Sequence, residues 1–170
     1  STRHQRHGVM SGAALSGLSP LAGCPVQPYF GRTALLSDYI DWALDQIGPA
    51  GMAVSTFSVS EQFLRWLHRA RSSGRISRCS LVCDLRAARK TASLDSLMHS
   101  VCDEVILAQN HSKVVILEGP VVAVAIVTSQ NQTRGDRFEA GIITTDYRTV
   151  SLLKNGLTTL RNESKVLTWT

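Results

Sequence analysis

The sequence predicts an α/β fold: a mixed β-sheet flanked by helices on both faces. Three observations carry the prediction. Apolar, β-branched runs alternate with segments of helical periodicity between Thr33 and Gln109. Two further runs, "SKVVILEG" and "VVAVAIVTS", meet at Gly119-Pro120 and read as a β-hairpin. Both are apolar almost without interruption, so the sheet they join must be covered on each side.

The elements follow in chain order. Leu36, Tyr39, Ile40, Ala43, Leu44 and Ile47 recur at spacings of three and four, which makes one face of a helix from Thr33. Gly48-Pro49 stops it. "GMAVSTFSV" reads as a strand. Ser58 and Glu61 suit a capping box for a helix to about Arg71, with Phe63, Leu64, Leu67 and Ala70 inward. Ser72-Ser73-Gly74 ends that helix, and "RISRCSLVCDL" is the next strand. "RAARKTAS" reads as a polar basic loop before a short helix holding Leu94, Leu97, Met98 and Val101. "DEVILAQ" is a strand, and the hairpin follows. "RFEAGIITT" is a further strand, and "YRTVSLLKNGLTTLR" a closing helix. Residues 1–31 lack any acidic side chain and are rich in Ser, Gly and Pro. They read as an irregular basic arm before a domain spanning 32–170.

At 170 residues and 44% hydrophobic content, the chain suits one globular domain with an arm. Its net charge of +5 comes mostly from arginine, since the only lysines are Lys90, Lys113, Lys154 and Lys165. The planar guanidinium fork suits phosphate, which points to nucleic acid, DNA first, as a partner. A mild positive charge also serves solubility. No stretch is long and apolar enough for a membrane span, so the expectation is a cytoplasmic protein without stable membrane insertion. Leu21-Ala22-Gly23-Cys24, preceded by Arg3 and Arg6, resembles a lipoprotein processing box and keeps an exported or anchored alternative open. Cys79 and Cys83 have no second Cys/His pair at zinc-finger spacing. With Cys102 they read as small buried hydrophobes, which fits a reducing compartment.

The chemistry concentrates near the hairpin's open end. His111 and Lys113 stand two apart at the start of a strand, so both side chains face one side of the sheet. A turn at Gly119-Pro120 pairs position 118 with about 121 and position 111 with about 128. That register brings Ser129 and Asn131 beside the pair, and Glu139 opens the next strand at the same end. Such a set suits a phosphodiester. Lys113 and Asn131, helped by Ser129, hold non-bridging oxygens and stabilise growing charge. His111 attacks phosphorus, and Glu139 fixes the imidazole tautomer. No carboxylate cluster offers a metal site, and no cofactor is called for. Arg86, Arg89 and Lys90 on one segment, and Arg134 and Arg137 flanking the Asn131 loop, are candidates for tracking a nucleic-acid backbone.

"HSKVVILE", then "TSQN", then "RFEAG" resemble the phospholipase D superfamily signature, in which His-x-Lys precedes Gly/Ser-x-Asn and a Glu. Glu118 stands where the family has Asp, and Thr128 where it has Gly, which implies a narrower pocket. The family builds one active site from two such motifs, whereas His4, His7, His68 and His99 lack a lysine two residues later. The resemblance therefore implies a phospholipase D-like α/β sandwich and a homodimer with one His111 per subunit. Its activity would be metal-independent hydrolysis of nucleic-acid phosphodiesters through a phosphohistidine, as in nuclease-like members. The alternatives are an inactive DNA-binding module of the same fold and a phospholipase-type lipid phosphodiesterase.

Overall fold

The computed structural model describes residues 15, 17–90, 92–133 and 136–167. Eight strands form one mixed sheet: β1 (Val26–Gly31), β2 (Ala50–Ser55), β3 (Ile76–Asp84), β4 (Glu104–Ala108), β5 (Val114–Glu118), β6 (Ala123–Thr128), β7 (Glu139–Thr144) and β8 (Lys165–Leu167). Their spatial order is β1-β7-β6-β5-β2-β3-β4-β8. The β2–β3 and β3–β4 pairs are parallel, and every other pair is antiparallel.

Helices cover both faces, as the apolar hairpin required. On one side lie α1 (Leu36–Ile47), α2 (Glu61–Ser72) and α4 (Asp95–Val101). Ile40, Leu64, Leu67 and Met98 pack there against Val54, Val115, Leu117, Ile126 and Ile143. On the other side α5 (Tyr147–Glu163) sets Val150, Leu153 and Leu157 on Val114, Ile116 and Ala125. Leu160 covers Val82, Ile106 and Ala108. Val114 and Val115 thus belong to opposite cores, which is why β5 is apolar at both parities. Cys79, Cys83 and Cys102 are buried free thiols, and burial pushes Cys83 up to about 12.

Several boundaries differ from the sequence reading. Residues 26–31 are not irregular: β1 pairs with β7 from Val26↔Thr144 to Gly31↔Glu139. Residues 1–14, with His4 and His7, lie outside the described residues, as does Trp169. The "RAARK" segment is helical, forming α3 (Leu85–Lys90) directly on the end of β3. The cap of α2 is Ser60, whose hydroxyl accepts from Phe63 N at 3.2 Å, and not Ser58. The reason is that the chain leaves the sheet after Ser55, four residues before the predicted strand end at Val59. The hairpin register is displaced by two, with Glu118 opposite Ala123. Its turn occupies 119–122, closed by Gly119 N donating to Val122 O at 3.1 Å. A shift of two preserves which face each residue occupies, so the predicted meeting of the strand ends survives.

Candidate active site

The sheet's geometry collects loops at one edge. The parallel strands β2, β3 and β4 release the chain at Thr56–Phe57, Leu85–Arg86 and Gln109–Asn110, and the open end of the β5–β6 hairpin lies beside them. Carboxyl ends of parallel strands are where open α/β sheets place ligands.

His111 and Lys113 stand just before β5 and touch each other. The Lys113 ammonium lies 3.4 Å from His111 Nδ1 and donates to the His111 carbonyl at 3.0 Å. The ring of His111 also packs on Phe57, with centroids 5.3 Å apart and planes inclined by 54°. Thr128 N donates to Lys113 O at 3.1 Å, so the hairpin ladder continues up to the pair.

Asn131 is tied to the same neighbourhood through Phe57. Its Oδ1 accepts from Phe57 N at 3.2 Å and from Thr56 Oγ1 at 3.4 Å. The Asn131 amide nitrogen keeps both hydrogens without a protein acceptor among the described residues. Ser129 and Glu139 form a second contact pair. The Ser129 hydroxyl donates to the Glu139 carboxylate and accepts from Ala140 N at 3.0 Å. Arg137 lies 3.5 Å from the other carboxylate oxygen.

Glu139 therefore does not hydrogen-bond His111, contrary to the orienting role expected of it. The backbone decides this: Ser129 N donates to Ala140 O at 2.9 Å, which delivers the serine hydroxyl to the carboxylate. Thr128, across the hairpin from Lys113, turns its hydroxyl to Tyr29. Its hydroxyl lies 2.5 Å from Tyr29 OH, which also donates to Gln130 Oε1 at 2.9 Å. Burial pushes the Tyr29 phenol well above its usual range and keeps it a donor. A Cβ on Gly141 would lie 2.5 Å from the Tyr29 ring, so glycine is what admits the tyrosine. Glu118 lies at the far end of β5, paired at 2.7 Å with Lys154 of α5.

Two residues hold the His111 segment in place. Asp84, buried at the end of β3, accepts from Arg86 N at 2.8 Å, Ala87 N at 3.3 Å and Asn110 N at 3.0 Å. These amide bonds, that of Asn110 foremost, hold its carboxyl below the usual carboxylate range. Asn110, also buried, donates to Ser55 Oγ at 2.9 Å and Thr56 O at 3.1 Å. Its Oδ1 accepts from Ser112 N at 3.1 Å and Ser112 Oγ at 2.7 Å. His111 is thus an exposed side chain on a backbone pinned at Asn110 and Ser112. Sequence reasoning missed Asp84, Asn110 and Phe57. A signal was present in "CDL" and "QNHSK", polar residues closing two apolar strands.

A cleft of ≈ 460 Å³ opens beside His111, with Phe57, Leu85, Arg86, Arg89 and Gln109 on its walls. Two of the predicted basic residues are therefore at the site. Lys90 is not among the cleft residues, Arg137 sits over Glu139, and Arg134 lies outside the described residues. Among the described residues no group of three or more His, Cys, Asp or Glu could hold a metal ion, and no helix is long and apolar enough to cross a membrane.

No protein-family model matches the sequence, and no curated protein does. Solved structures do resemble the fold. Nuc from Salmonella typhimurium, a phospholipase D family member, superposes with a TM-score of 0.64 at 17% identity, over 85% of this chain and 98% of Nuc. NucT from Helicobacter pylori gives a TM-score of 0.62 at 15% identity, over 84% of this chain and 99% of that one. TrmBL2, an archaeal chromatin protein, gives 0.55 at 9% identity over 94% of this chain and 61% of its own. The fold is the phospholipase D-like α/β sandwich. In size the chain is similar to Nuc and NucT, each of which it spans almost completely.

Proposed function

We propose that the chain is a metal-independent phosphodiesterase acting on nucleic acid, DNA first, through a phosphohistidine on His111 at a site completed by a second copy of the chain. The observation that carries this reading is the Lys113 ammonium in contact with the His111 imidazole, whose ring packs on Phe57, the residue whose backbone amide holds Asn131 Oδ1. A bound phosphodiester would draw Lys113 off His111 and take the Asn131 hydrogens, placing phosphorus against the imidazole. Attack by a ring nitrogen forms a P–N bond while the P–O bond to the leaving strand breaks. The leaving oxygen takes a proton from the protonated imidazole of His111 of the partner subunit. That imidazole, now neutral, removes a proton from water, whose oxygen attacks phosphorus and breaks the P–N bond. Ser129 and Glu139, bonded to each other, shape the rim of the site. A two-fold axis relating the histidines makes acid and nucleophile the same residue.

Nuc and NucT share the fold, and Nuc is a phospholipase D family member, which supports a phosphodiesterase of that kind. A second reading, a DNA-binding module without turnover, is favoured by Glu139's being bonded to Ser129 and not to His111. The chromatin protein TrmBL2, whose structure shows a mode of DNA binding, has the same architecture. Hydrolysis of single- and double-stranded DNA in EDTA, wild type against His111→Ala, separates the two. The enzyme reading requires EDTA-resistant cleavage that the substitution abolishes. DNA binding by both proteins with cleavage by neither supports the module. Sedimentation tests the shared site, since a strict monomer that still cleaves would refute it.

A further inference from the structure

We propose that the cleft beside His111 is a subsite for one unpaired nucleotide, its base stacked on Phe57 and its outgoing phosphate held by Arg86 and Arg89. The inference rests on the proposed reaction for the position of the scissile bond, and on the cleft itself for everything else.

Four features of the cleft support it. First, its volume of ≈ 460 Å³ is that of a site for a single small molecule. Second, its walls differ in chemistry. Phe57 is half-buried and forms one wall, in ring contact with His111. Arg86 and Arg89, exposed and three residues apart on α3, project from one side of that helix. Third, neither guanidinium forms an ion pair among the described residues; six other arginines do, while Arg69, Arg78 and Arg148 do not, and of these unpaired arginines only Arg86 and Arg89 line this cleft. The carboxylate lining the cleft, Asp84, accepts from three backbone amides and attracts Arg86 only at longer range than an ion pair. Two unpaired guanidiniums on one wall suit an incoming anion. Fourth, the walls are locked to the reacting group, because Asp84 bonds both α3 and Asn110.

An aromatic wall faced by two arginines recognises a base face and a phosphate together. In a duplex the base faces are covered by their neighbours, so Phe57 finds a partner only on an unstacked nucleotide. The cleft therefore gives the site a preference for single-stranded or frayed nucleic acid over a continuous duplex. Phe57 is also well placed to report on occupancy, since it carries the backbone amide that binds Asn131 Oδ1.

The test uses the full chain and two oligonucleotides, one intact and one with an abasic residue next to the cleaved bond. For the intact strand, Phe57→Leu should weaken cleavage about ten-fold or more, mostly through KM, and Phe57→Trp should restore it. On the abasic strand Phe57→Leu should lose nothing further. Arg86→Ala with Arg89→Ala should weaken both strands alike and flatten the salt dependence of binding. The same comparison is made by binding anisotropy with His111→Ala protein, so that the subsite is tested whether or not the chain turns over. Equal losses on intact and abasic strands would overturn the proposal, because Phe57 would then act only by supporting His111. Equal affinity for duplex and single strand would overturn it as well. A wild-type protein that cleaves nothing but still discriminates the two strands would retire the catalytic reading and keep the subsite.

Discussion

The two sides of the candidate site are built in opposite ways. On the histidine side the functional group is exposed but its supports are buried: Asp84, Asn110 and Ser55 form a closed set of hydrogen bonds around residues 110 to 112. On the Glu139 side the functional groups bond to each other. Ser129, Glu139 and Arg137 make a chain that ends in solvent, with Arg137 71% exposed. A nucleophile, the role proposed for His111, has to be held within a fraction of an ångström, and the rim proposed to admit a polyanion does not. The contrast assigns precision to the first region and adaptability to the second.

Substitutions on the two sides should therefore differ in size and in the kinetic constant they change. Lys113→Ala should have the largest effect of these, lowering kcat about 10²- to 10³-fold, as removal of a positioned charge donor does. Asp84→Ala should come next. Releasing Asn110 and α3 together should cost about 10²-fold in kcat, and affinity for DNA should fall by a smaller factor because α3 carries Arg86 and Arg89. If Asp84→Ala leaves kcat intact, the buried side is not what positions His111. Glu139→Gln should be milder than either, keeping the Ser129 contact and changing KM more than kcat. A loss as large as that of Lys113→Ala would show that Glu139 swings to His111 on binding and would erase the difference between the sides.

Two smaller effects are read in stability. Gly141→Ala forces the Tyr29 ring from β7 and should destabilise the fold by about 1–3 kcal/mol, measured by denaturant titration. The Asp84 carboxyl is lowered by folding, so its contribution is fully present above the unfolded value, about 3.9, and is lost as pH falls through the lower folded value. Acid unfolding of wild type and Asp84→Asn should therefore differ in shape below about pH 4 and not between pH 5 and 8.

Much of the architecture was legible because the code is local. The face of α1, the inward residues of α2 and the two-sided apolarity of β5 follow from spacing alone. What escaped was set by partners distant in the chain. β1 carries Pro28 and ends in Gly31, poor strand signals, yet it pairs over its whole length with β7 more than a hundred residues later. The "RAARK" charges read as loop, but Asp84 at the end of β3 nucleates a helix there by accepting two of its amides. The site divides likewise. As candidates, His111 and Lys113 stand out by spacing, and Ser129, Asn131 and Glu139 by the hairpin, although Glu139 bonds Ser129 and not His111. Asp84 and Asn110 meet across 26 residues, and Asn110 and Ser55 across 55, through parallel crossovers that no local pattern announces. Phe57 is a consequence of the chain's leaving the sheet after Ser55, which the strand pattern of "GMAVSTFSV" concealed.

In the proposed reaction His111 attacks phosphorus. Rapid alkaline quench of the protein with a single-stranded oligonucleotide, followed by peptide mass spectrometry, reads it directly. The expected result is a phosphonucleotide adduct on the peptide carrying His111, formed in EDTA and absent from His111→Ala. Cleavage by the wild type with no adduct at any time, or with an adduct on another residue, would contradict it.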